Sequence, residues 1–393
     1  MKCGDFLKTF GIIAEFNPLH NGHQYLIDTA KNLGASHIVT VMSGNFTQRG
    51  ECAVISKFAR AKAALLCGCN LVLEMPVSYS LSPAYLFAYY GVSALSNYCD
   101  TVIFGSECGD VEKLYAVCDI LEGGEFEKYL KNADKNATFA SVRNSFLESK
   151  NKELASILKG ANDTLAIEYI TAARKMGANL DFIAVKRNGA SHDGSLPSGD
   201  ICSAEYLRNN LDKAEKFMPK ASYDILQDEI ESGAVANIKN LENGILAYWR
   251  TVNKEDLETL PDISEGIENR IKNAANTAVS LDGLYDLAKT KRYTHARIRR
   301  IVLNGYLGIT DKDATCAPPE FVRILATDKK GEEILKNGKG IMAVSSLKSA
   351  EKISQRAKRQ VDLEVNAGNL YALALNTRQP SNTEYTKKII KCD

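Results

Sequence analysis

The first half of the chain alternates short apolar runs rich in Val, Ile and Leu with stretches of helical periodicity. Strands that alternate with helices run parallel, and the helices cover both faces of the sheet, so few folds are compatible with this pattern. The predicted strands cover residues 10–14, 37–42, 71–75, 101–105 and 181–186. The main helices predicted between them cover residues 21–33, 57–66, 84–95 and 163–176. The sequence therefore predicts an α/β fold with a parallel sheet.

From about residue 214 the pattern changes to helices separated by short polar loops, and one further strand is predicted at residues 340–344. A chain of 393 residues is long enough for two or three domains. We therefore expect a sheet domain at residues 1–213 and a mainly helical domain at residues 214–393.

The composition is that of an ordinary globular protein, with 49 Lys and Arg against 48 Asp and Glu and 45% hydrophobic residues. No apolar run approaches the roughly 20 residues of a membrane span, and the first residues lack the apolar core of a signal peptide. The ten cysteines form no CxxC pair, which is typical of reduced thiols. We therefore expect a cytoplasmic protein.

The first predicted strand leads into the segment EFNPLHNGH at residues 15–23, where a turn and a helix start lie at the carboxyl edge of the sheet. Open parallel sheets bind ligands at this edge. The free N–H groups of a helix start favour phosphate, and Gly22 lets a nucleotide approach the backbone. His20 and His23 lie one helical turn apart, so both imidazoles can donate hydrogen bonds to an α-phosphate as pyrophosphate leaves. We predict that these two histidines are catalytic.

Two histidines at this spacing are also compatible with a purely structural or surface role. A zinc site would need a third ligand, and the nearby sequence offers none. We therefore predict no metal site formed by protein ligands.

Residues 11–23 resemble the HxGH signature of the nucleotidylyltransferase superfamily, whose members have a Rossmann-like fold. Four further segments follow later in the chain. Three lie at the ends of predicted strands: SGNFTQRG at 43–50, FGSE at 104–107, and KR at 186–187, which precedes His192 and Asp193. The fourth is Asn162, ahead of LAIEY at 165–169. Together, and over nearly the whole chain, they are similar to the tRNA(Met) cytidine acetate ligases. The resemblance implies an enzyme that forms acetyl adenylate from ATP and acetate. It then transfers the acetyl group to the wobble cytidine of elongator tRNA(Met), giving N4-acetylcytidine.

The resemblance also implies an ATP site. The implied residues are Ile13, Ala14, Glu15, Phe16, Asn17, Pro18, Leu19, His20, Asn21, Gly22, His23, Gln24, Tyr25, Leu26, Gly105, Asn162 and Arg187. A later segment, ICSAEYLR at 201–208, resembles the ISSTxIR signature of the superfamily and adds Ser203 and Arg208. Glu205 stands where the superfamily usually has Thr. Magnesium is expected to accompany ATP, held mainly by phosphates and water.

Basic residues are concentrated at 289–300, with six Lys or Arg and no acidic residue in twelve positions. Such a stretch can follow an RNA backbone, and an aromatic side chain within it can stack on an exposed base. The predicted RNA-binding residues are Arg49, Lys57, Arg60, Lys291, Arg292, Tyr293, Arg297, Arg299 and Arg300. A basic helix face that is simply solvated remains an alternative.

Two other functions remain open from the residues alone. A small-molecule nucleotidylyltransferase, joining ATP to a phosphorylated acceptor, would use the same histidine pair. An RNA-binding protein that holds ATP without turnover would need neither histidine. No membrane association and no obligate protein partner are expected.

Overall fold

The computed structural model describes residues 8–134, 137–187, 199–264, 266–290 and 292–392. Within these residues the strands are β1 (Thr9–Ala14), β2 (His37–Ser43), β3 (Phe46–Thr47), β4 (Glu51–Cys52), β5 (Leu71–Met75), β6 (Thr101–Ser106), β7 (Asp181–Lys186), β8 (Phe321–Thr327), β9 (Met342–Val344) and β10 (Ile390–Lys391).

The helices of the same residues begin with α1 (Asn21–Asn32), α2 (Lys57–Leu66), α3 (Val77–Ser80), α4 (Ala84–Leu95), α5 (Val111–Glu122), α6 (Gly124–Lys131), α7 (Phe139–Lys150), α8 (Lys152–Ile157), α9 (Ala161–Met176) and α10 (Ala204–Asn209). They continue with α11 (Lys220–Glu231), α12 (Glu242–Thr251), α13 (Lys254–Glu258), α14 (Ile267–Thr277), α15 (Leu281–Ala288), α16 (His295–Leu307), α17 (Lys329–Asn337), α18 (Leu347–Ala350), α19 (Gln355–Ala374) and α20 (Thr383–Thr386). Two 3₁₀ helices cover Leu211–Phe217 and Ile238–Leu241. None of the described helices has the length and apolarity needed to cross a membrane.

The centre of the sheet is parallel, in the strand order β5-β2-β1-β6-β7. All residues of β2 and β5 are buried, as the near-continuous Val, Ile and Leu runs of a sheet covered on both faces require. The chain leaves β1 on one side to form β2 and later returns to its other side to form β6. A switch in strand order of this kind opens a crevice at the carboxyl ends of the strands. The predicted α/β, Rossmann-like fold class is confirmed.

The sheet also contains a strand that the sequence interpretation missed. β8 comes from the part of the chain predicted to be mainly helical, and it pairs antiparallel with β5. β9, predicted at residues 340–344, and the short β10 pair in parallel with its two ends. Arg323 interrupts the apolar pattern of β8, and this concealed the strand. The division of the chain into domains at residues 213 and 214 stays a prediction.

Arg323 belongs to a group of five buried ionisable side chains that we call the buried charge cluster. Its members are Lys57 on α2, Glu74 on β5, Arg323 on β8, Glu364 on α19 and Glu384 on α20, each at most 5% exposed. The Lys57 ammonium lies 2.8 Å from a Glu384 oxygen and hydrogen-bonds Glu74, and Arg323 Nη1 lies 3.2 Å from Glu74 Oε2. The cluster joins the C-terminal helices to the parallel sheet.

Glu364 is the member of the cluster that we expect to be protonated at neutral pH. Burial, reinforced by the negative charge of Glu74, raises the pKa of its carboxyl group from 4.5 to about 8. The remaining charges then balance, with two cations against two carboxylates.

The contribution of Glu364 to stability should therefore be lost as the pH rises from about 5 to about 8, because the folded state keeps a proton on Glu364 that the unfolded state has released. A Glu364→Gln variant mimics the protonated acid and can still accept the Val77 N–H, which now lies 2.6 Å from Glu364 Oε1. We expect the difference in free energy of unfolding between this variant and the wild type, measured by urea denaturation across this range, to shift in favour of the variant as the pH rises. An exposed control, Glu258→Gln, should follow the wild-type curve. Parallel curves for Glu364→Gln and the wild type would contradict a proton on Glu364.

Candidate active site

A cavity of about 360 Å³ opens at the carboxyl ends of β1, β6 and β7. The sequence-predicted residues that line it are Ile13, Ala14, Glu15, Phe16, Asn17, His20, Gly22, His23, Tyr25, Leu26, Gly105, Asn162, Arg187 and Arg208. The cavity therefore brings together residues that are almost 200 positions apart in the chain.

The two histidines of the cavity have their ring orientation fixed by the start of α1. His20 is the N-cap residue, and its Nδ1 accepts the Gly22 N–H at 3.0 Å. His23 Nδ1 accepts the His20 N–H at 3.2 Å, and the two rings stack with centroids 3.8 Å apart. A neutral imidazole that accepts through Nδ1 carries its proton on Nε2. Each histidine therefore keeps one N–H donor for a ligand.

Both histidines are neutral in the cavity. Burial, with the positive charges of Arg187 and Arg208 nearby, lowers the pKa of His20 from 6.5 to about 3. Burial and the neighbouring His20 likewise lower the pKa of His23 well below its usual value. The pair is therefore suited to donating hydrogen bonds to an anion and poorly suited to exchanging protons with a substrate near neutral pH.

Positive charge and an unpaired donor surround the histidines. Arg187 follows β7, and Arg208 on α10 donates to the carbonyl oxygen of Asn17 at 3.2 Å. The Asn17 amide oxygen accepts the Val54 N–H, while its buried Nδ2 has no partner among the described residues. Guanidinium and amide donors around a helix start form a suitable site for phosphate groups.

Asn162 lies at the start of α9 and is held by a residue that the sequence analysis quoted but did not assign. Glu107, which follows β6, accepts hydrogen bonds from the Asn162 side chain at 2.6 Å and from the backbone N–H groups of Asn162 and Asp163. Burial opposes ionisation of Glu107, but these hydrogen bonds outweigh it and lower its pKa. With its Nδ2 donating to Glu107, the amide oxygen of Asn162 remains to accept from a nucleotide.

Five of the predicted ATP residues lie outside the lining of the cavity. Pro18 and Leu19 are buried, and Gln24 donates to Asp28 and to the Cys67 carbonyl oxygen. Asn21 donates to the carbonyl oxygens of Asp200 and Lys216. Ser203 caps α10 by accepting the Tyr206 N–H. These residues shape the turn and the helix ends around the cavity.

The substitution at position 205 has a clear structural consequence. Glu205 is about half exposed and pairs with Arg49 at 3.2 Å, and it does not line the cavity. Arg49 does line it. The carboxylate therefore holds an arginine at the mouth and does not face a phosphate site.

The prediction that Lys57 and Arg60 contact RNA is wrong in this structure. Lys57 is 1% exposed, inside the buried charge cluster, and Arg60 is completely buried. The Arg60 guanidinium donates to the carbonyl oxygens of Ile55, Glu15, Ser43 and Gly44. Arg60 therefore fixes the backbone that follows β1 and β2.

Three arginines of the basic stretch, all on α16, form ion pairs within the protein. Arg297 and Arg300 pair with Asp262, and Arg299 pairs with Glu51. Tyr293 is only 7% exposed, so its ring offers no open face for a base and the stacking prediction is wrong. Arg292 is half-buried, and Lys291 lies outside the described residues.

No cluster of three or more His, Cys, Asp or Glu side chains suited to a metal ion occurs in the described part of the chain. Glu15 is the one carboxylate among the described residues lining the cavity, against several cationic side chains. This donor set fits a magnesium ion that arrives with ATP and is held by phosphates and water.

A parallel sheet in this order, with paired histidines at the turn after its first strand, defines a nucleotidyl transferase of the HIGH class. The family model described as HIGH Nucleotidyl Transferase matches residues 7–386. The tRNA(Met) cytidine acetate ligase of Acetivibrio thermocellus is 33% identical over 98% of this chain and 100% of its own length. The enzyme of the same name from Caldicellulosiruptor saccharolyticus is 35% identical over 93% of this chain and 94% of its own. The chain therefore belongs to the tRNA(Met) cytidine acetate ligase family.

Solved structures agree with this assignment. Crystal structures of Thermotoga maritima TmcAL, one bound with alpha-thio ATP and one without ligand, superpose with TM-scores of 0.90 and 0.91. Each is 32% identical and covers 98% of this chain and 99% of its own.

Proposed function

We propose that this protein activates acetate with ATP and transfers the acetyl group to the wobble cytidine of elongator tRNA(Met). One observation carries the proposal. Two neutral histidines present Nε2–H donors, beside Arg187 and Arg208, in a cavity at the start of α1. The family membership supplies the substrates.

In the first step an acetate oxygen attacks the α-phosphorus of ATP, and the bond to the leaving pyrophosphate breaks. Acetate is already an anion, so this step needs no general base. His20 and His23 donate hydrogen bonds to oxygens that gain charge as pyrophosphate leaves, and the arginines offset that charge. Magnesium bound to the phosphates would shield their charge during the attack.

In the second step the amine of the cytidine attacks the acetyl carbon and AMP leaves. A wobble base belongs to a loop whose bases are unstacked at modest cost, so it can enter a protein pocket. Tyr85 on α4 is 52% exposed and is adjacent in sequence to Ala84, which lines the cavity, and Arg49 is exposed at the mouth. We propose that the tRNA approaches from this side. The predicted cytoplasmic location and the absence of an obligate protein partner stay predictions.

The proposal is tested by pyrophosphate release from ATP, with and without acetate and with and without tRNA(Met), followed by mass analysis of the tRNA nucleosides. We expect acetate-dependent release and the mass gain of one acetyl group on one cytidine. Release that ignores acetate but needs a phosphorylated small molecule would favour the alternative nucleotidylyltransferase. Tight tRNA binding without turnover would indicate a binding protein.

A further inference from the structure

The hairpin of β3 and β4 lies between the cavity and α16. Its turn residues Gln48 and Arg49 line the cavity, whereas Gly50 packs against α16. Gly50 has a φ angle of +74°, and a Cβ atom at this position would lie 2.5 Å from the Cβ atom of Arg299. Glycine allows the two backbones to approach this closely. The hairpin therefore connects α16, from the C-terminal part of the chain, to the wall of the cavity.

Glu51, the next residue of the hairpin, divides its carboxylate between two arginines. Its Oε1 accepts a hydrogen bond from Arg299 Nη1 on α16. Its Oε2 lies 3.8 Å from Arg208 Nη2 on α10. Arg208 lines the cavity and Glu51 does not. The carboxylate therefore contacts Arg208 from outside the cavity.

The Arg208 guanidinium is held at two of its nitrogens. Nη1 donates to the Asn17 carbonyl oxygen at 3.2 Å, and Nη2 faces Glu51. After burial, which is the main cause, the charges of Arg187 and Arg208 lower the pKa of His20, so Arg208 lies within electrostatic reach of the histidines. A guanidinium is planar and rigid, so fixing two of its nitrogens also fixes the direction of its other N–H groups.

The Glu51 carboxylate is itself held in place by Arg299. The Arg299 guanidinium lies over the ring of Tyr285 on α15, 5.5 Å from the ring centroid, and Tyr285 is 4% exposed. A cation over an aromatic face is attracted to it. The shorter contact of Glu51 is the one with Arg299, so the alternative role of this carboxylate is to anchor the hairpin to α16.

We propose that Glu51 is a positioning residue for ATP binding: held by Arg299, it orients Arg208 toward the phosphates of the nucleotide. This assignment rests on the use of ATP in the proposed function. Glu51 acts only through Arg208 and touches no substrate. Arg299, which was predicted from the sequence to bind RNA, thereby acquires a role toward the ATP site.

The sign of the change in ATP affinity separates positioning from a simple charge effect. A carboxylate near a phosphate site repels the nucleotide, so loss of its charge alone would tighten ATP binding. Loss of a positioning contact would weaken it. For Glu51→Gln we expect the Kd of ATP, measured by titration calorimetry without acetate or tRNA, to rise about tenfold. Glu51→Asp keeps the charge but is one methylene shorter, so it cannot reach both arginines and should weaken binding similarly.

A double-mutant cycle tests whether Glu51 acts through Arg208. In an Arg208→Gln protein, adding Glu51→Gln should cause no further rise in the Kd of ATP, because the guanidinium that it orients is gone. Glu153→Gln is the matched control, since its carboxylate pairs with Lys113 on the exposed surface, and it should bind ATP like the wild type. The number of binding sites per chain, from the same titration, reports that each variant is folded.

Tighter or unchanged ATP binding by Glu51→Gln would overturn the inference. An equal loss of affinity with and without Arg208 would also overturn it, because a residue that only anchors the hairpin to α16 would behave in this way. Acetate-dependent pyrophosphate exchange is measured separately. A wild-type protein that binds ATP without such exchange would refute the proposed function, and the affinities would still decide the role of Glu51. A wild-type protein that does not bind ATP would refute both.

Discussion

Replacing His20 by asparagine should leave the protein folded and lower acetate-dependent ATP–pyrophosphate exchange by about 100- to 1000-fold. The asparagine amide oxygen can stand where His20 Nδ1 now accepts the Gly22 N–H, and asparagine is a favoured N-cap residue. The Nε2–H donor has no counterpart in the shorter side chain. The variant therefore separates the capping role of the residue from its role toward phosphate. Exchange is measured by isotope incorporation into ATP at saturating substrates.

Thermal unfolding of the same variant is the control for structure. His37, whose Nε2 lies 3.0 Å from Glu333 and which is far from the cavity, provides a matched histidine, and His37→Gln should retain full exchange. If His20→Asn exchanged as fast as the wild type, the histidine would be only a helix cap. If its activity fell only in proportion to a loss of stability, the catalytic role would likewise be refuted.

Replacing Lys57 by methionine should lower the free energy of unfolding by about 3–5 kcal/mol. Lys57 is buried between Glu74, Glu364 and Glu384, and its removal leaves Arg323 as the only cation of the buried charge cluster. A buried carboxylate without a partner is far more costly than an intact buried ion pair. Despite the burial of Lys57, the surrounding carboxylates raise its pKa, so the ammonium stays charged in the folded protein. Urea denaturation at neutral pH measures the change.

Two further variants define this effect. Lys62 lies on the exposed side of the same helix, so Lys62→Met should change the free energy of unfolding by less than about 0.5 kcal/mol. Without Lys57, the carboxylates of Glu74 and Glu384 share Arg323 as their one cationic partner in the cluster. Adding Glu384→Gln to Lys57→Met removes the excess negative charge and should restore part of the lost stability. A Lys57→Met protein as stable as the Lys62→Met protein would show that the cluster contributes little.

Much of the fold and the position of the site could be predicted from local sequence. The five strands of the parallel sheet are largely apolar runs, because a strand covered on both faces has no solvent side to encode. His20, Gly22 and His23 lie within one turn of helix, so their proximity follows from helical geometry alone. Gly105 and Arg187 could also be placed near the histidines from the sequence. Each lies at the carboxyl end of a predicted strand, and the carboxyl ends of parallel strands share one edge of the sheet.

Prediction failed where the role of a residue depends on distant partners. β8 was missed because Arg323 looked incompatible with a buried strand until Glu74 and Glu384 surrounded it. Glu107 gave no signal of its role, because its partners at the start of α9 lie about 55 residues away.

The sequence by itself therefore determined the strands of the parallel sheet, the histidine pair and the edge of the sheet at which a nucleotide would bind. The tertiary structure alone decided which charged side chains are buried and which are exposed to solvent. Lys57 and Arg60 have the same local pattern as solvated basic residues, but residues from β8, α19 and α20 and the backbone after β1 enclose them. The physical reason is that a buried charge is stable only beside its partners, and those partners come from parts of the chain that no local pattern connects.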